Sequence, residues 1–199
     1  MNGKPERVGV LGGTFDPIHN AHLFAAVAAR DAFDLDLVLL VVAGRPWQKE
    51  SARAITPAAD RLAVVEAAIA GVEHLQASSI EIDRPGPSYM ADTLSELRAM
   101  HPTAELFLIL GRDAAANVST WERPDEVRDA ATVIIADRSA GGQVALPAGW
   151  RTEVLEIPRL DIASSSLRER LLLGLAIDGL VPPGAIREIS ARALYSRDR

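Results

Sequence analysis

The stretch "VGVLGGTFDPIHNAHLFAAVAARDAF", residues 8–33, contains a strand, a turn and a helix in immediate succession. Its apolar start is typical of a buried strand, and its Ala-rich end has the apolar spacing of a helix. Between them, Gly12 and Gly13 allow a sharp turn and a close approach of the backbone to a ligand. The helix directs free N–H groups and the positive end of its dipole at this turn. The stretch therefore predicts an α/β fold with an anion site after the first strand.

Short apolar runs alternate with helical patterns along the chain, and several runs are rich in Val, Ile and Leu on both faces. Such runs are typical of strands covered on both sides, so the order predicts a Rossmann-like, doubly wound, mostly parallel sheet with helices on both faces. The predicted strands are residues 7–11, 36–43, 75–82, 105–110, 132–136 and 152–157. The predicted helices are residues 21–33, 57–70, 88–100, 125–131, 166–173 and 183–194. Residues 43–55 and 137–150 are predicted to be surface loops.

The composition is that of an ordinary globular chain. Its 199 residues, 48% of them hydrophobic, suffice for one domain over 1–199, with a small C-terminal helical portion at about 164–199. The net charge of −6 argues against a broad nucleic-acid surface, and the absence of cysteine excludes disulfides, thiolate zinc sites and cysteine nucleophiles. No apolar run is as long as the core of a signal peptide or the ~18 residues of a membrane span. We expect a cytoplasmic protein without nucleic-acid or membrane partners, and the sequence leaves its oligomeric state open, a homo-oligomer included.

The first turn carries two of the four histidines of the chain, His19 and His22. No Gly-Lys-Ser/Thr follows the glycines, and the glycine spacing of the dinucleotide fingerprint is absent, so neither of these phosphate motifs applies. Histidines three residues apart at a helix start lie on one face of the helix. Imidazoles at that place, protonated or hydrogen-bonding, can stabilise charge on a reacting phosphate.

Two other interpretations of this turn remain open from the residues alone. The histidine pair and the Asp16-Pro17 dipeptide are also compatible with a purely structural turn at a helix start. Asp16, His19 and His22 could also be metal ligands, although the sequence offers no supporting cluster and no HExxH glutamate. We therefore predict no protein-bound metal.

The motif "GGTFDPIHNAH", residues 12–22, resembles the signature of the HxGH nucleotidyltransferase superfamily and is especially similar to that of bacterial nicotinate-nucleotide adenylyltransferases. The resemblance covers nearly the whole chain, because further segments match in order and spacing: "PWQK" (46–49), "GPSYMADTL" (86–94), "GRDAAANVSTW" (111–121), "IASSSLRER" (162–170) and "LVPPGAIREISARALY" (180–195). It implies transfer of AMP from ATP to nicotinate mononucleotide, giving deamido-NAD and pyrophosphate in NAD biosynthesis, with Mg²⁺ on the ATP phosphates.

The segment "DIASSSLRERLLLG", residues 161–174, offers a second anion site after an apolar strand. Hydroxyls, helix N–H groups and the Arg168 guanidinium can converge there. Ser166 also starts an S-x-x-E capping box, and a cap and an anion clamp can coexist. The resemblance assigns Ser164, Ser165 and Arg168 to the ATP phosphates.

Gly111 and Asp113 follow the predicted strand at 105–110. A carboxylate at that place can accept hydrogen bonds from ribose hydroxyls, and glycine lets the backbone approach a nucleotide. The alternative is an ordinary helix N-cap at Asp113. The resemblance implies contact between this carboxylate and the adenosine ribose.

The nicotinate end of the site is predicted from an aromatic residue and a helix start. Trp121 is the predicted stacking platform for a pyridine ring, in preference to Trp47 and Trp150, because the family has its indole at the matching position. The start of the helix in "PGPSYMADTL", residues 85–94, can hold a carboxylate or a phosphate, with a plain cap at Ser88 as the alternative.

Together, residues and resemblance define the candidate site. The predicted catalytic residues are His19, His22 and Arg168. The predicted ATP-binding residues are Gly12, Gly13, Thr14, Phe15, His19, His22, Gly111, Asp113, Ile162, Ser164, Ser165 and Arg168. The predicted nicotinate mononucleotide-binding residues are Thr14, Lys49, Ser88, Tyr89, Thr93 and Trp121. Lys49, near Arg45, would by itself be a surface charge, and only the "PWQK" match makes it a phosphate contact.

Three positions depart from the family pattern. Ala21 replaces the glycine of HxGH, Ala163 replaces the first serine of a Ser-Ser-Thr, and Met90 replaces a threonine of the nicotinate loop. A methyl group at Ala21 can obstruct a close approach of phosphate to the helix. The departures leave open nicotinamide mononucleotide as the acceptor and, through Ala21 and Ala163, a non-catalytic nucleotide-binding relative. Phosphopantetheine or cytidylyl transfer is a further alternative, against which Trp121 and "GPSYMADTL" speak.

Overall fold

The computed structural model of the chain describes residues 4–46, 54–137 and 146–196. Its strands are β1 (Arg7–Gly13), β2 (Leu37–Val42), β3 (Leu75–Ser78), β4 (Glu105–Gly111), β5 (Thr132–Asp137) and β6 (Thr152–Glu156). Its helices are α1 (Asn20–Ala32), α2 (Ala58–Ile69), α3 (Ile80–Asp83), α4 (Met90–Met100), α5 (Arg112–Ala116), α6 (Pro124–Ala130), α7 (Ser164–Leu172) and α8 (Pro183–Ala191), with a 3₁₀ turn at Val118–Thr120.

The six strands form one sheet in the order β3-β2-β1-β4-β5-β6, and every neighbouring pair is parallel. This is the Rossmann strand order, so the predicted doubly wound α/β fold is confirmed. Strand order reverses between β1 and β4, which places a crevice outside the carboxyl ends of these two strands. Among the described helices, none is both long and apolar enough to cross a membrane.

Both faces of the sheet are covered, which explains why the strands are apolar on both sides. Leu108 and Ile109 are consecutive in β4, yet they belong to different hydrophobic clusters because successive side chains point to opposite faces. One cluster contains residues of α1, α2 and α8, and the other contains residues of α4 and α6. Ala185 and Ile189 of α8 lie in the first cluster, so the C-terminal helical portion packs into the same core as the sheet.

The predicted strand at 75–82 is wrong in its second half. β3 pairs with β2 only as far as Ser78, which lies opposite Val41. The chain forms the short helix α3 instead, packed against the loop after β2: a Cβ atom at Gly44 would lie 2.2 Å from the Glu81 carbonyl oxygen. This change of structure turns the Glu81 side chain into the protein interior.

Several helix boundaries also differ from the sequence prediction. The helix predicted at 88–100 begins at Met90, and the one predicted at 166–173 begins at Ser164. The helix predicted at 183–194 ends at Ala191, and α5 and the 3₁₀ turn were not predicted at all because such short elements have no apolar period of their own. The described parts of the predicted loops at 43–55 and 137–150 lie outside regular structure, apart from Asp137 in β5.

Candidate active site

Two neighbouring pockets open at the carboxyl end of β1, at the switch point of the sheet. The first, with a volume of about 250 Å³, is lined by residues that include Trp121 and is named the tryptophan pocket. The second, with a volume of about 460 Å³, is lined by residues that include His22 and is named the histidine pocket. Both are bounded by the residues that end β1 and follow it, Gly12, Gly13 and Thr14. A molecule in one pocket can therefore meet a molecule in the other across this turn.

His19 and His22 lie side by side at the start of α1. His19 is the N-cap residue, with extended backbone, and His22 is the third residue of the helix. Their imidazole rings stack with centroids 3.6 Å apart and planes inclined by 17°, which confirms that the two rings share one face. His22 lines the histidine pocket, whereas His19 is only 4% exposed and lies behind it.

Hydrogen bonding selects one tautomer of His22. Its Nδ1 accepts a hydrogen bond from the backbone N–H of His19 at 3.3 Å, so the ring proton lies on Nε2. This bond leaves Nε2 as the ring nitrogen of His22 that can donate a hydrogen bond to a ligand.

The other two interpretations of the turn can be compared with the same geometry. The N-cap position of His19 and the ring stack give the pair a structural part in starting α1, which is compatible with a role at the phosphate. Within residues 4–46, 54–137 and 146–196, no group of three or more His, Asp or Glu side chains is arranged to hold a metal ion, so Asp16, His19 and His22 do not form such a cluster.

The start of α7 closes the histidine pocket from the other side. Ser164 Oγ donates to the Pro17 carbonyl at 2.9 Å, and Arg168 Nη1 donates to the Asp16 carbonyl at 2.6 Å. The structure thus brings the two predicted anion sites together, and Ser164, Ser165 and Arg168 line one pocket with His22. The capping-box alternative is wrong, because the N-cap is Ala163 and Ser166 lies inside the helix.

The tryptophan pocket is bounded by Trp121 after α5 and by the residues that start α4. Ser88, Tyr89 and Met90 line it together with Trp121. The plain cap predicted as an alternative at Ser88 is wrong: Tyr89 is the N-cap, and Ser88 exchanges hydrogen bonds with the backbone of Arg45, accepting at Oγ at 3.1 Å and donating its N–H at 3.0 Å. These bonds fix the loop after β2 to the start of α4.

The remaining tryptophans and the predicted lysine lie elsewhere. Trp150 packs against the hydrophobic cluster that contains α4 and α6. Trp47 and Lys49 fall outside the described residues, so the assignment of Lys49 to a phosphate stays a prediction.

Thr93 and Glu81 form a buried pair behind the tryptophan pocket. Thr93 is 0% exposed, so the structure does not bring its side chain to the pocket surface. Its hydroxyl donates instead to Glu81 Oε1 at 2.6 Å, and Arg84 donates to the same hydroxyl at 3.2 Å. Glu81 lines the pocket and was missed from the sequence, because it lay within a predicted strand and nothing local marked it.

Gly111, Asp113 and Ile162 sit at the margin of the site. Gly111 ends β4 and is the N-cap of α5, so the N-cap alternative for Asp113 is wrong. Asp113 is the second residue of α5 and is exposed at the carboxyl edge of the sheet. Ile162 packs against the cluster that contains α1 and α8. None of the three lines either pocket as the structure describes them. Their contacts with ATP stay predictions.

The glycines at the end of β1 have close side-chain neighbours. A Cβ atom at Gly12 would lie 2.7 Å from Met90 Cε, and one at Gly13 would lie 2.8 Å from the Phe15 ring. Phe15 is buried in the left-handed backbone region, with φ 47°, and its ring meets that of His22 edge-on at 5.1 Å. Gly13 therefore leaves room for the Phe15 ring, which contacts His22.

A buried arginine that the sequence analysis did not single out supports the turn after β1. Arg61 of α2 is 1% exposed. Its guanidinium donates to the carbonyl oxygens of Thr14, Ala43 and Thr56 at 2.7, 2.7 and 2.8 Å. Because these carbonyls belong to the loops after β1 and β2, one side chain holds two walls of the site together.

Comparison with known proteins agrees with this geometry. A cytidylyltransferase-like family model matches residues 10–170. A probable nicotinate-nucleotide adenylyltransferase from Saccharopolyspora erythraea is 43% identical, covering 96% of this chain and 91% of the relative. A protein of the same name from Acidothermus cellulolyticus is 42% identical over 99% of this chain and 98% of its own length. The chain belongs to the nicotinate-nucleotide adenylyltransferase family. It is accordingly a nucleotidyltransferase, as the resemblance implied.

A solved structure shows that the fold is also that of the family. The Plasmodium falciparum nicotinic acid mononucleotide adenylyltransferase complexed with NaAD superposes with a TM-score of 0.80 at 19% identity, covering 96% of this chain and 97% of that chain. Of the departures from the family motif, Ala21 is 3% exposed and does not line the described part of either pocket. The effect of its methyl group on phosphate binding stays a prediction.

Proposed function

We propose that this chain transfers AMP from MgATP to nicotinate mononucleotide, giving deamido-NAD and pyrophosphate in NAD biosynthesis. The observation that carries the proposal is the meeting of the two pockets at Gly12, Gly13 and Thr14. A triphosphate in the histidine pocket and a pyridine nucleotide in the tryptophan pocket would have their reacting phosphates on this turn. The names of the curated relatives favour the same reaction.

The reaction needs positioning and charge stabilisation, without a covalent enzyme intermediate. A phosphate oxygen of nicotinate mononucleotide attacks the α-phosphorus of ATP, and a new P–O bond forms. The bond from this phosphorus to the bridging oxygen of the β-phosphate breaks, and pyrophosphate leaves with the electron pair. Holding the two phosphates in line makes the reaction between the two bound substrates effectively unimolecular. This positioning supplies much of the rate enhancement in phosphoryl-group transfer.

Residues of the histidine pocket would stabilise the charge that develops during transfer. His22 donates from Nε2, and Arg168 offers a guanidinium from the opposite wall. Ser164 and Ser165 at the start of α7 add hydroxyls and helix N–H groups. Fixed donors of this kind act more strongly in the transition state than in the ground state, and therefore raise turnover. Mg²⁺ arrives as part of the substrate MgATP and neutralises phosphate charge.

The tryptophan pocket suits a pyridine carboxylate. Trp121 offers a ring face for stacking. The first turn of α4, which begins at Met90 beside the pocket, offers N–H groups and the positive end of a helix dipole to a carboxylate. A neutral carboxamide gains less from that dipole. We therefore favour nicotinate mononucleotide over nicotinamide mononucleotide as the acceptor.

Pyrophosphate release from MgATP across a panel of acceptors tests the proposal. The panel contains nicotinate mononucleotide, nicotinamide mononucleotide and phosphopantetheine, with CTP replacing ATP in a parallel series. The expected result is the highest kcat/KM for nicotinate mononucleotide with ATP. Preference for the amide would overturn the assignment of the α4 helix start. Binding of ATP without pyrophosphate release from any acceptor would identify a non-catalytic relative.

A further inference from the structure

The C-terminal segment after α8 returns to the catalytic turn. Leu194 is buried in the core, and its neighbours Ala193 and Tyr195 both adopt the left-handed backbone region, with φ 49° and 60°. Residues other than glycine rarely adopt this region, and they keep it where the surrounding structure holds them in place. Two such residues flanking a buried leucine show that the path of this segment is fixed by its contacts.

The Tyr195 hydroxyl ends this path on Asp16. It donates to Asp16 Oδ1 at 2.7 Å, between residues 179 positions apart. Asp16 is 2% exposed and lies within the turn that carries the histidines. The carbonyl of the same residue accepts the hydrogen bond from Arg168 Nη1. One residue of the turn is therefore held from two sides, by a phenol at its carboxylate and by a guanidinium at its backbone.

The Tyr195 hydroxyl is suited to donate a hydrogen bond to the Asp16 carboxylate. Burial, and then the negative charge of Asp16, raise the pKa of the Tyr195 hydroxyl above its ordinary value. The hydroxyl therefore stays protonated wherever the enzyme works. A carboxylate taken out of water needs hydrogen-bond donors, and a missing donor is costly.

The other end of the turn is held by the same part of the chain. The first residue of α1, Asn20, donates its backbone N–H to Leu180 at 2.9 Å and its side-chain amide to Gly179 at 2.8 Å. These two acceptors precede α8, which packs closely on α2: a Cβ atom at Gly184 would lie 1.9 Å from the Ala67 carbonyl oxygen. The segment before α8 and the segment after it therefore bracket the turn between residues 16 and 20.

We propose that Tyr195 is a positioning residue for nucleotidyl transfer. Its hydroxyl fixes the Asp16 carboxylate and thereby the position of the turn. The Asp16 carbonyl then holds the Arg168 guanidinium toward the phosphates, and the turn holds His22 in position for the transfer. The proposal rests on the proposed function for its turnover measurement, but its effect on ATP binding does not depend on the identity of the acceptor.

The substitution Tyr195→Phe tests this role because it removes one oxygen and keeps the ring. The matched control is Ser196→Ala, which removes the neighbouring hydroxyl, whose only described contact is with the Ala193 carbonyl at 3.1 Å. Equilibrium MgATP affinity by calorimetry, kcat with nicotinate mononucleotide, and Tm are measured for both variants and the parent. We expect Tyr195→Phe to weaken MgATP binding and to lower kcat by about 10-fold each, the scale of one hydrogen bond to a charged group. Ser196→Ala should match the parent in both.

A second pair of variants separates positioning from general stability. In the background Asp16→Asn, where the carboxylate charge is gone, the further change Tyr195→Phe should cost much less than in the parent, because the two residues act through one contact. Folded Tyr195→Phe with parental MgATP affinity and kcat would overturn the proposal. So would equal losses in the two backgrounds, or losses that Ser196→Ala reproduces. A parent that binds MgATP but transfers AMP to no acceptor would overturn the proposed function alone, and the MgATP affinities would still decide the role of Tyr195.

Discussion

Replacing His22 with alanine should lower turnover far more than it lowers stability. The change removes the Nε2–H donor from the histidine pocket and leaves Arg168 and the α7 start in place. Loss of one preorganised donor that acts on transition-state charge costs about 10²- to 10³-fold in kcat, or about 3–4 kcal/mol. We expect kcat to fall by this factor, with a much smaller change in the KM for either substrate.

The stability cost follows from the same geometry. His22 is partly buried, and its Nδ1 accepts one backbone hydrogen bond, that of the His19 N–H. Loss of such a bond at a helix start costs about 0.5–2 kcal/mol. For a chain of this size, that lowers Tm by roughly 1–8 °C. A protein folded at the assay temperature therefore loses almost no folded fraction, and unfolding cannot account for the fall in kcat.

Steady-state pyrophosphate release at saturating substrates, measured with Tm, separates the possible roles of His22. His101→Ala is the matched control, because that imidazole pairs with Glu6 at 3.0 Å, outside both pockets. The double variant of His19 and His22 should cost less than the product of the single variants, since the buried His19 ring acts through the His22 ring stacked on it. A folded His22→Ala protein with parental kcat would refute the reasoning.

Three further substitutions probe other walls of the site. Trp121→Ala should weaken the acceptor by about 1–3 kcal/mol, seen in its KM, and leave ATP affinity unchanged if the indole is a stacking platform; a global loss of stability would contradict this. Gly12→Ala should push the flexible end of Met90 into the tryptophan pocket, raising acceptor KM with little change in Tm, and adding Met90→Thr should restore it. Arg61→Met leaves two buried carbonyls and one partly buried carbonyl without their donor, so urea unfolding should show a loss of about 3–5 kcal/mol; a loss below about 1 kcal/mol would refute the bridging role.

Local sequence predicted the features that depend on neighbours within one turn of chain. The short apolar runs predicted five of the six strands nearly to their ends, and the three-residue spacing of the histidines was enough to place both rings on one helical face. The motif order also identified the family, because "GGTFDPIHNAH" and the segments that follow it are specific in combination.

Predictions from single polar residues near helix starts were less successful. Ser88, Asp113 and Ser166 each fit a cap, and the structure makes none of them the N-cap of its helix. A cap motif shows only that a side chain can bond to the helix end. Whether it does so depends on where the helix begins, and tertiary contacts such as that between Ser88 and Arg45 move that point.

The sequence by itself determined the α/β class, the turn after β1 that lines both pockets, and the family of the chain, because strand and helix periods and short motifs are local properties. Tertiary structure alone decided which residues support the site. Arg61 reaches the turn across 47 positions and Tyr195 across 179. Such contacts form only when folding brings distant segments together, and burial then makes each hydrogen bond costly to lose.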